Sequence, residues 1–230
     1  MSMARALIIG GSGAIGDAIA DAFASRGYEV VRTSRHGDGA CLVFDPLEAP
    51  ESATGVIAAG PFDSVVWAQG ANRNDAAHTV ALDEFRETMD ANVTFVVASL
   101  TALCDADAIN SNARMVVISS IWQTLARGNK FSYTVSKAAV GGLVRAASVD
   151  LAPQGILINA VLPSVIDTAM TRAMLSDEQI GFVAAQTGFN RLNTTADVAN
   201  MVVSLGSTDN TGVTGQSVAV DLGFSHARVI

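Results

Sequence analysis

The sequence predicts an α/β fold: a doubly wound, mostly parallel seven-stranded sheet with helices on both faces, built as one domain over residues 1–230. Three observations predict it. Short β-branched runs alternate with longer stretches of helical periodicity, and a glycine-rich turn joins the first run to the first helix. No Pro/Gly/Ser-rich linker and no repeat divides the chain.

The elements follow in order. Ala6–Ile9 is apolar and bounded by glycines, as a buried strand requires. Ala14–Ser25 carries Ile15, Ile19, Ala22 and Phe23 at helical spacing. Glu29–Thr33, Cys41–Phe44 and Ser64–Trp67 are the second, third and fourth strands. Leu82 to about Ala108 reads as one long helix, and Met115–Ser119 as the fifth strand. Ser132–Ala152 is an Ala-rich helix, Leu157–Val161 the sixth strand, and a further helix begins near Thr194 before a seventh strand at Ser217–Val220. Residues 164–191 leave the sixth strand as loop and helix. In an open α/β sheet that exit overhangs the crevice at the carboxyl ends of the strands, so this segment is expected to cover the substrate. Its Met170, Met174, Phe182 and Phe189 are expected to be core or interface.

Composition narrows the function. Half of the residues are hydrophobic, and the net charge is −8 without a basic cluster, which argues against a nucleic-acid partner. No stretch reaches the ~20 apolar residues of a membrane helix, so no membrane association is expected. Cys41 and Cys104 lack metal-ligand spacing and read as reduced thiols of a cytoplasmic protein, and His36, His78 and His226 show no pairing for a metal.

Gly10-Gly11-Ser12-Gly13-Ala14-Ile15-Gly16 lies between the first strand and first helix, where Gly11, Gly13 and Gly16 fit G-x-G-x-x-G. Glycine lets the backbone turn tightly and approach a pyrophosphate, and the helix N-terminus presents N–H groups and partial positive charge to that anion. A dinucleotide is therefore expected. An NAD site usually has an acid at the end of the second strand to hold ribose hydroxyls. This strand runs Val31-Arg32-Thr33-Ser34-Arg35-His36, without one. Arg35, helped by Ser34, suits a 2′-phosphate, so NADP(H) is favoured over NAD(H). Solvated loop arginine is the competing reading of Arg35, and surface charge that of Arg32.

Tyr133-Thr134-Val135-Ser136-Lys137 places a phenol and an ammonium at i and i+4 of one helix face. A phenol titrates near 10, and a neighbouring cation lowers that value. Ser120, just past the fifth strand, is placed to hydrogen-bond a substrate oxygen, with Ser119 as its competitor for that role. The set suits general acid catalysis beside a hydride donor.

These motifs together resemble a short-chain dehydrogenase/reductase of the compact Rossmann type, similar to its 3-oxoacyl carrier-protein reductases, from about Ala4 onward. Asp45 stands where the family contacts adenine, Trp67-Ala68-Gln69-Gly70 where it has Asn-Asn-Ala-Gly, and Asn92 where it has its asparagine. Asn159 to Pro163, Ser164 and then Ile166 and Thr168 resemble the segment facing the nicotinamide, and Gly215 to Gly223 the final strand signature. The resemblance implies a catalytic set of Asn92, Ser120, Tyr133 and Lys137. Tyr133 would give the proton, Ser120 position the oxygen, Lys137 bind the nicotinamide ribose and lower the Tyr133 pKa, and Asn92 hold a water in a proton relay. It implies cofactor contacts along Gly10–Gly16 and at Ser34, Arg35, Asp45, Ala68, Gln69, Gly70, Pro163, Ser164, Ile166 and Thr168. It implies a small carbonyl or alcohol substrate, and a tetramer or dimer packed through residues 82–108 and 132–152. Three alternatives stay open: Asp45 as a turn former, Thr168 as a helix cap, and Asn92 bonding only to backbone. Ala14, Trp67, Gln69, Ser164 and Leu222 depart from the family pattern, though none removes a catalytic group. The rival function is an idle NADP(H)-binding sensor or scaffold; a sugar-nucleotide epimerase is disfavoured by length.

Overall fold

A computed structural model describes residues 3–37 and 39–226. Seven strands form one sheet in the order β3-β2-β1-β4-β5-β6-β7. They are β1 (Arg5–Ile9), β2 (Glu29–Ser34), β3 (Leu42–Val43), β4 (Phe62–Trp67), β5 (Ile109–Ile118), β6 (Leu157–Pro163) and β7 (Ser217–Val220). All six pairings are parallel, so the expected mostly parallel sheet is wholly so.

Alternation along the strands divides the core between the two faces. Leu7 and Ile9 of β1 join Val65, Trp67, Met115, Val117, Ile158 and Ala160 on one face. There they meet α2 (Ala53–Ala58), α4 (Phe95–Asp105) and α5 (Phe131–Asp150) through Val56, Phe95, Leu103, Val140 and Val144. Ala6 and Ile8 face the other way, with Val66, Val116 and Val161. They meet α1 (Ala14–Ala24) and α8 (Thr195–Gly206) through Ile19, Phe23, Val198 and Val202. The strands read as continuous apolar runs because both sides are covered.

Three elements differ from expectation. The single helix expected from Leu82 is α3 (Leu82–Met89), a π-helical turn at Asp90–Thr94, and then α4. The Phe95 N–H reaches back to the Asp90 carbonyl there, one residue further than an α-helix allows. The fifth strand begins at Ile109 rather than Met115: Ile109 pairs with Phe62 of β4, and a register irregularity spans the polar, partly exposed residues between it and the regular pairing that starts at Arg114. The third is only Leu42–Val43, exposed at the sheet margin.

Between β6 and α8 lie α6 (Ala169–Met174) and α7 (Asp177–Ala185). Neither buries a side chain fully, and Met170, Met174, Phe182 and Phe189 are all more than 60 % exposed. Of the two places expected for these four, core or interface, the core of this chain is excluded. Thr194 caps α8 by accepting from the Asp197 N–H, and the Asp197 carboxylate accepts from the Thr194 N–H, which fixes where the covering segment ends.

The strand order reverses between β1 and β4, and the glycine turn sits at that point. Gly10 has φ +82°, and a Cβ there would lie 2.7 Å from the Gln69 nitrogen. A Cβ on Gly16 would overlap the Gly10 carbonyl oxygen, whereas one on Gly13 would meet nothing closer than 3.6 Å. Thus the packing requires Gly10 and Gly16, and the fit of Gly13 to the motif is not a packing need. Gly16→Ala should destabilise the protein by about 2 kcal/mol or more, lowering its melting temperature by roughly 4–8 °C. Gly13→Ala should stay within about 1 kcal/mol of wild type. Calorimetry of the two variants checks this.

Candidate active site

Two connected hollows run over the carboxyl ends of β1, β4, β5 and β6. The larger, about 810 Å³, is lined by Gly10, Ser12, Gly13, Ala14, Ile15, Gly16 and, across the switch point, Ala68, Gln69 and Gly70. The first turn of α1 has no side-chain cap, so its N–H groups are available to an anion in this hollow. Gly11 lines neither hollow: a Cβ on it would press on the Arg32 side chain, so its part is in packing β1 on β2.

Ser34, Arg35 and His36 close one end of the larger hollow, with Ser34 buried and Arg35 exposed. Arg32 is not a free surface charge. It pairs with Asp17 and with Asp21 of α1, the latter at 2.7 Å. Arg35 is thus the cation of this strand end that faces the cleft. Asp45 also lines the cleft, and its Oδ1 accepts from the Leu47 and Glu48 N–H groups, so it forms the turn. Thr168 both lines the cleft and caps α6 by accepting from the Thr171 N–H at 3.2 Å.

The smaller hollow, about 190 Å³, opens from the first at Ala68, Gln69 and Gly70. It is lined by Ser120, Tyr133, Lys137, Pro163, Ser164 and Ile166. Ser120 is buried; its hydroxyl accepts from the Trp122 N–H and lies close enough to the Tyr133 phenol to pull its pKa down. Lys137 donates to the Ile118 carbonyl at 3.0 Å, and its Nζ stands 5.6 Å from the centre of the Tyr133 ring.

Burial acts on these two groups in opposite directions, because each loses solvation of its charged form. It pushes the Tyr133 phenol up, against a smaller downward pull from Ser120. It brings the Lys137 ammonium down to about 8. The expectation that the phenol lies below its ordinary value is therefore corrected for the ligand-free site, where desolvation raises it.

Asn92 lies in the π-helical turn and is buried behind the hollow. Its Nδ2 donates to the Ala71 carbonyl and the Ser136 hydroxyl, both at 2.9 Å, and its Oδ1 accepts from the Ala71 N–H at 2.8 Å. Both donors are spent, so its side chain pins the loop after β4. A Cβ on Gly70 would crowd Asn92 Oδ1 at 2.7 Å, which explains a glycine there.

Sequence reasoning missed three contributors, Asn72, Asp75 and Lys130. Asn72 lines the smaller hollow, as does Ser119, the competitor of Ser120, whose hydroxyl is buried without a partner. Asp75 accepts from the Ser132 N–H and hydroxyl at the start of α5, anchoring the loop that carries Asn72. Lys130 is buried beside Tyr133. A signal for Lys130 existed in its spacing three residues before the tyrosine; the Asp75 contact had none, as it joins segments far apart in sequence.

Comparison with known proteins agrees with this geometry. A family model described as enoyl-(acyl carrier protein) reductase matches residues 51–225. The chain is 30 % identical over 235 residues to the 3-oxoacyl-(acyl-carrier-protein) reductase FabG of Escherichia coli, covering 95 % of this chain and 96 % of that protein. It is 32 % identical over 232 residues to the 3-oxoacyl-(acyl-carrier-protein) reductase MabA of Mycobacterium tuberculosis, covering 96 % and 93 %. Among solved structures, a blue fluorescent protein from a metagenomic library in complex with NADPH superposes with a TM-score of 0.85 at 28 % identity, over 96 % of this chain and 98 % of that one.

The Lys137 shift has a consequence for stability. The unfolded chain holds this proton up to about 10.5 and the folded chain only up to about 8. Unfolding therefore takes up a proton between those values, and stability rises with pH across that window. Below it the buried ammonium costs on the order of 3 kcal/mol. Lys137→Met should accordingly be more stable than wild type at neutral pH when ligand-free. That advantage should shrink as the pH rises from about 8 to 10.5, as urea denaturation at a series of pH values would show.

Proposed function

Because the chain belongs to the short-chain dehydrogenase/reductase family, we propose that it is an NADP(H)-dependent oxidoreductase that interconverts a carbonyl and a secondary alcohol, with Tyr133 as general acid and base. The observation that carries this is one continuous groove, in which a glycine turn and an uncapped helix N-terminus adjoin Ser120, Tyr133 and Lys137.

The residues fit a dinucleotide. Gly10, Gly13 and Gly16 line the cleft without side chains, and the first turn of α1 beside them has no side-chain cap on its N–H groups. Gly10, Ser12, Gly13, Ala14, Ile15 and Gly16 would hold the pyrophosphate, Arg35 and Ser34 the 2′-phosphate, and Asp45 the adenine side. Ala68, Gln69, Gly70, Pro163, Ser164, Ile166 and Thr168 would line the nicotinamide half, with Lys137 at the ribose. When bound, NADPH supplies the hydride. The Ser120 hydroxyl orients the substrate oxygen toward the phenol, Tyr133 transfers its proton to that oxygen, and Lys137 stabilises the phenolate left behind. Asn92 keeps the wall of the hollow in place.

The named activities of FabG and MabA point to a 3-oxoacyl thioester as the first substrate to try. The segment 164–191 is the cover of the same single domain, its exposed Met170 and Phe182 giving it apolar surface. Exposed Leu82, Val97, Val135 and Val149 on α3, α4 and α5 support a homodimer or homotetramer through these helices, which light scattering tests. Cys41 and Cys104 are both free, in keeping with a cytoplasmic protein, and no helix among the described residues is long and apolar enough to cross a membrane.

Two outcomes are expected. With NADPH and a panel of ketones and 3-oxoacyl thioesters, followed by nicotinamide absorbance, Tyr133→Phe should lose roughly 10²–10⁴-fold in kcat; equal turnover by both proteins would overturn the proposal. By titration calorimetry, Arg35→Ala should weaken NADPH by about 1–3 kcal/mol and leave NADH nearly unchanged.

A further inference from the structure

Tyr133 has a lysine on each side along its helix. Lys137 lies one turn after it, and Lys130, at the N-cap of α5, one turn before. Both ammonium nitrogens stand 5.6 Å from the centre of the phenol ring. Lys130 is only 7 % exposed, which is unusual for a lysine unless it is held. It is held: its Nζ donates to Asn72 Oδ1 and, at 3.4 Å, to the Arg73 carbonyl. These acceptors belong to the loop that lines the smaller hollow, and Asp75 ties the same loop to α5.

We propose that Lys130 is a second cation for Tyr133, a positioning residue that stabilises the phenolate from the turn before it as Lys137 does from the turn after. The inference rests on the reading of Tyr133 as the acid and base of the site. It deepens that reading by giving the tyrosine two electrostatic supports on different structural footings. Lys137 is anchored to the sheet through Ile118, and Lys130 to the loop after β4 through Asn72. A substrate that moved Asn72 would thereby act on the charge beside the phenol.

The charged groups around this pair are few. Lys137 and Lys130 face Tyr133 from α5, Asp75 approaches Lys130 from the loop after β4, and Arg127 approaches it from the segment before the helix. Burial and Arg127 press the Lys130 pKa down, while Asp75 opposes them. Among the described residues, only these two lysines bring a cation to the Tyr133 ring.

The chain has only two tyrosines, so Tyr28→Phe leaves Tyr133 as the single phenol whose ionisation is read by tyrosinate absorbance. In that background Lys130→Gln removes the charge and keeps a donor for Asn72. It should move the Tyr133 titration upward by about one pH unit. Lys130→Arg, which keeps the charge, should leave it near its starting point. An unmoved titration in Lys130→Gln would overturn the proposal, as would equal shifts in both variants, which would make the effect one of packing. Because this titration uses neither cofactor nor substrate, failure to reduce any carbonyl would overturn the proposed function without touching it. Where NADPH-dependent reduction is measured, the basic limb of kcat/KM should move by the same amount in Lys130→Gln, with thermal melting recorded for each variant.

Discussion

Asn92 donates to the Ala71 carbonyl and the Ser136 hydroxyl and accepts from the Ala71 N–H, so three segments far apart in sequence share one buried side chain. The loop after β4, the α3–α4 helix and α5 are thereby fixed to one another at the mouth of the sheet. An amide suits this place because it offers donors and an acceptor with no net charge to desolvate. The surrounding geometry follows from it. The helix widens to a π turn at this point, which carries Asn92 within reach of Ala71. Ser136, the third partner, also donates to the Tyr133 carbonyl, so the bond network reaches the turn of α5 that bears the phenol. Gly70 stays small because the same amide occupies the space of its missing side chain.

What the sequence made legible was local. The apolar runs of β1, β4, β5 and β6 are visible because both sheet faces are covered, and Tyr133 and Lys137 because helical spacing is a property of neighbours. The strand order, by contrast, depends on which edges meet, and follows from sequence only through the alternation of strands and helices and the handedness of their crossovers. The glycine turn shows where this boundary falls. Its position was plain, but which glycines it needs depends on the carbonyl of Gly10 and the backbone of Gln69, brought there by the fold. The motif therefore weighed Gly13 above Gly10.

The π turn at Asn92 and the Asp75–Ser132 anchor lay beyond the sequence: the first is a local widening that leaves helical periodicity on both sides, the second a tertiary bond without a periodic trace. Asp45 and Thr168 are a different case. The two alternatives weighed for them are compatible, since each forms its local turn or cap and also lines the cleft. Local bonding and contact with a ligand are not exclusive when a carboxylate or hydroxyl has several lone pairs.

The electrostatics of the site tie these parts to chemistry. Burial raises the phenol and lowers the ammonium, so in the ligand-free protein Lys137 gives up its proton before Tyr133 does. Up to about pH 8 the pair is a neutral phenol beside a cation. That is the protonation state a carbonyl oxygen needs on its way to an alcohol: a proton on the tyrosine and a positive charge to receive the phenolate when it leaves. The same desolvation that costs stability at Lys137 makes that charge effective, because an ammium-to-phenolate attraction strengthens as solvent is withdrawn. A hollow small and dry enough to raise the phenol is thus also one in which a neighbouring lysine can stabilise its anion.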